Sequence, residues 1–137
     1  MTSPLFLSDT GAPSIMRGLH GGSGVLRWKR FVTGLMMHGD WDSFEHNRVE
    51  PGGVIGEHVH SRTEEIYFIV SGTGLMHYNG ERHEVRAGDL IMTPLNGRHG
   101  IDNIGDDELE FIVVEALPPS IVAKLPTYSP SAGDGEA

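Results

Sequence analysis

The sequence predicts an all-β protein, a sandwich or barrel of roughly nine short strands. Three observations carry this. Short apolar or alternating runs recur, with turn signals roughly every eight to twelve residues. No stretch holds a 3.6-residue apolar period long enough for a convincing helix. Between two alternating runs lies Asn79-Gly80, the strongest short hairpin signal, because both of its residues take positive φ.

Taken in order, residues 1–24 hold Pro4, Pro13 and a glycine cluster, and read as an irregular arm lying on the body or on a partner. His20-Gly21-Gly22-Ser23-Gly24 is only superficially a phosphate cradle. It lacks the lysine, the spacing and a preceding strand, so a flexible turn is expected.

The barrel body is expected over residues 25–117. Val25–Thr33 reads as the first strand, with Leu26, Trp28 and Arg30 on one face. Arg27 and Lys29 on the other read as a solvated face rather than a site for an acidic substrate. Residues 35–38 suggest a short strand before a Gly39-Asp40 turn. Residues 41–50 form the next, ended by Pro51-Gly52-Gly53; there Phe44, His46 and Arg48 alternate with Ser43, Glu45 and Asn47. Glu64–Ser71, rich in Ile, Tyr, Phe and Val, reads as a central strand. If Glu65 points inward so does Tyr67, while Ile66, Phe68 and Val70 form an apolar outer face. Such a face needs a cover, which predicts a homodimer. Residues 75–78 and 81–86 form the hairpin arms, with His77 expected inward and His83 in solvent. Gly88-Asp89 turns into residues 90–93, and Pro94-Leu95-Asn96-Gly97 turns again to deliver His99. Leu109–Ala116 is the last strand. Beyond Leu117 the residues 118–137 read as a tail, with one helical turn over 120–124 and a disordered end, being small, polar and acidic.

The chemistry concentrates in residues 52–103. His58 and His60 are two apart, so on a strand they share a face with Cα atoms roughly 7 Å apart. Glu65 follows a short polar turn, where a returning strand brings its carboxylate beside the imidazoles. His99 would add a fourth donor from a distant strand. Three imidazoles and a carboxylate suit one divalent transition metal ion: iron, manganese, nickel, copper or zinc.

These residues resemble the two motifs of the cupin superfamily. Gly52, His58, His60, Glu65 and Gly72 fill the fixed positions of the first. Gly88, Pro94, His99 and Asn103 match the second, with Asn96 where the family usually has glycine. Asn tolerates the left-handed conformation of such a turn. The resemblance implies a small single-domain jelly-roll barrel, a double-stranded β-helix, with His58, His60, Glu65 and His99 as metal ligands. It also implies that the strand carrying His46 runs along the pocket. Catalytic candidates are therefore Glu65, Tyr67, His46 and His77. Asn103 is expected to brace its loop, and Asp102 to face away from His99.

Three functions follow from the resemblance. The first is a redox metalloenzyme of the dioxygenase type, which the intact glutamate favours. The second is a non-redox Lewis-acid enzyme, such as a polyketide cyclase, isomerase or lyase, typically with zinc. The third is a small-molecule binding module without turnover.

Composition bounds these readings. The chain has 137 residues, enough for one domain, and no cysteine, which excludes a thiolate metal site. A hydrophobic fraction of 38% and a charged fraction of 21% are globular. A formal charge of −9 argues against nucleic acid or an anionic membrane as partner and leaves a small-molecule substrate. No apolar run approaches the roughly twenty residues of a membrane span. The first eighteen residues lack the basic start and apolar core of a secretory signal, so a cytoplasmic location is expected.

Overall fold

A computed structural model describes residues 7–36 and 39–125. Ten strands run in chain order: β1 Ser14–Arg17, β2 Val25–Thr33, β3 Trp41–Val49, β4 Val54–Val59, β5 Glu64–Ser71, β6 Thr73–Tyr78, β7 Glu81–Arg86, β8 Leu90–Thr93, β9 Arg98–Asn103 and β10 Leu109–Ala116. They form two antiparallel sheets, one ordered β1-β2-β3-β10-β5-β8 and the other β4-β9-β6-β7. This is the expected all-β jelly roll.

The alternation of each strand explains what lies between the sheets. Leu26, Val49, Tyr67, Ile69, Leu109, Phe111 and Val113 face inward from the larger sheet, and Ile55, Met76, Val85 and Ile101 from the smaller. Full burial of such side chains is worth roughly 1.5–3 kcal/mol each, so this cluster is the main stabilising element. The hairpin between β6 and β7 turns at Asn79 (φ 46) and Gly80 (φ 87), as its sequence requires. Asn96 sits at φ 68, the left-handed conformation expected of it. A register shift in the β2–β3 ladder between Arg30 and Val32 sets Val32 opposite Phe44.

Two local expectations change. Residues 34–36 form a 3-10 turn, Gly34–Met36, in place of a strand beginning at residue 35; residues 37–38 lie outside the described residues. The arm is built in its second half: β1 pairs with β2, a 3-10 turn spans Leu19–Gly21, and Ser23 bridges to Val54. The flexible turn expected around the glycine cluster is therefore a docked segment. After β10 a short helix α1, Pro119–Val122, covers the expected helical turn, and the end expected to be disordered, 126–137, falls outside the described residues.

Candidate metal centre

Four side chains from three strands and one loop meet between the sheets. His58 comes from β4, His60 from the residue just past its end, Glu65 from β5 and His99 from β9. His60 is held by two backbone hydrogen bonds, donating to Gly97 and accepting from Asn96. The turn 94–97 is thus fixed directly against the histidine pair. One donor atom from each of the four lies within 4.8 Å of the others. His60 Nε2 is 3.1 Å from His58 Nε2 and 2.8 Å from His99 Nε2. Glu65 Oε1 is 3.2 Å from His60 Nε2 and 3.0 Å from His99 Nε2.

The opposite ring nitrogens fix the tautomers. His58 Nδ1 is 2.8 Å from the Gly56 carbonyl, which only accepts, so Nδ1 carries the proton and Nε2 a bare lone pair. His60 Nδ1 meets the Thr63 hydroxyl at 3.2 Å and His99 Nδ1 the Thr93 hydroxyl at 2.7 Å. Hydroxyls can donate or accept; with both accepting from Nδ1, every Nε2 faces the common centre as a lone pair. Lone pairs at such separations repel unless a cation lies among them. Glu65 Oε1 is buried and accepts no hydrogen bond, although ring nitrogens surround it. Both features are those of metal donors, and the donor set fits a divalent transition metal ion.

At His58 the electrostatics agree with this protonation. Burial lowers the His58 pKa to about 4, against the opposing Gly56 hydrogen bond, so the ring is neutral at pH 7. Burial alone would raise the Glu65 carboxyl, but the polar groups of His60, His99 and Glu115 outweigh it and hold it below the usual carboxylate range. Glu115 is the ladder partner of Glu65 on β10. Burial, then the hydrogen bond to Glu65 and its charge, push Glu115 up to about 10. The two carboxyls are thus driven apart, Glu65 toward the ionised form and Glu115 toward the neutral one.

The cluster opens on a cavity of about 180 Å³ lined by Trp28, Arg30, Glu45, Asn47, Tyr67 and Glu115 among others. Tyr67 faces inward as expected. Its ring stacks on Phe111 at 4.6 Å, and burial, followed by the nearby carboxylates, raises its phenol well above the ordinary value. It stays a neutral phenol beside the Glu65 carboxylate. Glu45 anchors the far wall, accepting from the Trp28 indole, the Ser43 hydroxyl and Arg30, whose guanidinium also lies over the Trp28 ring.

Two expected pocket residues point elsewhere. His46 was expected along the cavity, but its Nε2 is 2.8 Å from Glu110 on the opposite face of the sheet. The β3 residues lining the cavity are Glu45 and Asn47. The reason is parity: Val49 is buried in the core, and residues an even number away share its face. His77 likewise turns outward, pairing with Asp102 at 3.0 Å, because Met76 takes the inward position on β6. Asp102 faces away from His99, and His83 is exposed beside Glu81. Asn103 braces its loop, donating to the Val49 and Asp107 carbonyls and accepting from Gly105. Glu115, Glu45 and His20 were not anticipated. Glu115 had a signal: it continues the inward series Leu109, Phe111, Val113 as a carboxylate.

A two-sheet jelly roll with three imidazoles and a carboxylate converging at the end of its cavity defines a cupin. The chain belongs to the cupin family: residues 46–115 match the Cupin domain. Over 116 residues it is 32% identical to an oxalate-binding protein of Thermotoga maritima, covering 85% of this chain and 96% of that protein. A crystal structure of a predicted oxalate decarboxylase from Thermotoga maritima superposes with a TM-score of 0.75 at 32% identity, covering 77% of this chain and 92% of that one. The polyketide synthase CurC of Streptomyces cyaneus is 31% identical over 88 residues, 63% of this chain and 57% of that protein.

Proposed function

We propose that the chain is a metal-dependent enzyme acting on a small oxygen-rich organic substrate, and that its reaction is redox, of the dioxygenase type. The observation that carries this reading is the convergence of His58, His60, Glu65 and His99 at the edge of a small polar cavity. A bound iron or manganese ion would supply Lewis acidity and electron exchange with dioxygen, whereas zinc would supply Lewis acidity alone. The chain's own residues do the rest. Tyr67 and Glu65 line the cavity together, so the neutral phenol offers its proton beside the carboxylate. Arg30, at the rim, offers its remaining N–H groups to an anionic substrate, and the Trp28–Glu45–Ser43 contacts make the facing wall rigid. The oxalate-binding relative makes a small carboxylate the first candidate.

The test is metal analysis of protein purified without added metal, then oxygen uptake with a panel of small carboxylic acids. Iron or manganese at one per chain, with uptake that depends on the acid, is the expected result. Zinc without uptake moves the assignment to a Lewis-acid enzyme. That second reading has its own support: Glu115, neutral and inside the cavity, can give a proton to an enolate, and CurC is a relative. A His58→Ala protein that loses metal yet still binds its ligand would indicate a binding module instead.

A further inference from the structure

The arm places a fourth imidazole beside the cluster. His20 sits in the 3-10 turn Leu19–Gly21 and stacks on His58, with ring centroids 3.8 Å apart and planes 16° from parallel. With Met16 and Leu19 it also lines the cavity. The backbone that carries it is unusual. Gly18, His20 and Gly21 all have positive φ, and for His20, which is not a glycine, this conformation is strained (φ 53). The arm also lies closer to β4 than side chains allow. A Cβ on Gly22 would come within 1.8 Å of the Val54 carbonyl oxygen, and one on Gly56 within 2.0 Å of the His20 carbonyl oxygen. Two hydrogen bonds between Ser23 and Val54, at 2.9 and 2.7 Å, lock the approach. A strained residue persists only where its surroundings hold it there, and here they set an imidazole flat against a metal donor.

His58 is a ligand that such a contact can steady. His58 and His60 are only partly buried, while Glu65 and His99 are buried. The Gly56 carbonyl holds one edge of the His58 ring but does not fix rotation of its plane. We propose that His20 is a positioning residue of the metal centre, acting through His58: its ring, carried by the docked arm, fixes the plane of that ligand. This rests on the metal-centre reading above.

The experiment titrates the metal-free full-length chain with Co²⁺ and follows its visible absorption spectrum. His58→Ala identifies the signal of this site. His20→Ala is expected to weaken Co²⁺ binding about tenfold or more and to change the spectrum, as loss of outer supports does at metal sites. His20→Phe restores a flat ring and is expected to stay within about twofold of the native chain with the native spectrum. Gly22→Ala, which lifts the arm without touching a ligand, is expected to reproduce His20→Ala. His20 is exposed at the cavity rim, so its substitution leaves the core intact. If His20→Ala binds Co²⁺ with native affinity and spectrum, the inference falls and the metal centre stands. If the native chain takes up no Co²⁺, or His58→Ala binds it unchanged, the metal centre falls and the inference with it.

Discussion

At the residue scale, the supports of the ligands are as testable as the ligands. Thr93 is buried and its hydroxyl meets His99 Nδ1 at 2.7 Å. Thr93→Val keeps the shape and removes the bond, so metal affinity should drop roughly 10–100-fold with secondary structure unchanged, as read by metal titration and circular dichroism. His58 gives a pH prediction. Its folded pKa of about 4 lies below the unfolded value of 6.5, so between these values the unfolded chain binds more protons. The His58 contribution to stability is therefore full above pH 6.5 and is lost as pH falls toward 4. Denaturant midpoints of the metal-free chain should decline over that window, and His58→Ala should flatten the decline. The four-residue set was legible in the sequence through residue type, spacing and the resemblance to the two cupin motifs. The supports were not, since Thr63 and Thr93 are ordinary hydroxyl residues until the fold sets them against the rings.

At the element scale, parity decides function. β3 presents alternate residues to the cavity and to the opposite face, so a facing guessed one residue out exchanged Glu45 and Asn47 for His46. The buried Val49 at its end held the correct phase, and Met76 did the same for His77 on β6. Where a strand carried its own apolar marker in the expected phase, as Ile69 does for β5, Glu65 and Tyr67 were placed correctly. Strand β10 ties the core to the centre through Phe111, fully buried and stacked on Tyr67. Phe111→Ala should cost about 3–5 kcal/mol in denaturant unfolding, from lost burial and the cavity it leaves. Because Tyr67 then loses its backing, metal affinity should fall as well. A loss of stability with native affinity would uncouple the two.

At the scale of the whole molecule, the outer face of the larger sheet is apolar, as the alternation of β5 foretold. Phe68 and Val70 on β5, Leu90 and Met92 on β8 and Phe44 on β3 are all exposed. We expect a second copy of the chain to cover this face, an isologous arrangement in which one patch meets itself. Sedimentation should give twice the 14.9 kDa chain mass, and Phe68→Glu with Met92→Glu should give the monomer with the centre intact. A native chain that sediments as a monomer at micromolar concentration overturns this. Among the described residues, no helix is long and apolar enough to cross a membrane.

The donors span both halves of the sandwich, His58 and His99 on the smaller sheet and Glu65 on the larger. An ion held by all of them is a clasp between two leaves that are otherwise joined there by packing and the Thr93–His99 hydrogen bond. Melting temperature should accordingly climb with the logarithm of free metal once the dissociation constant is passed, and a chelator should reverse the gain. The same clasp makes heat tolerance a property of the surroundings as well as of the polypeptide.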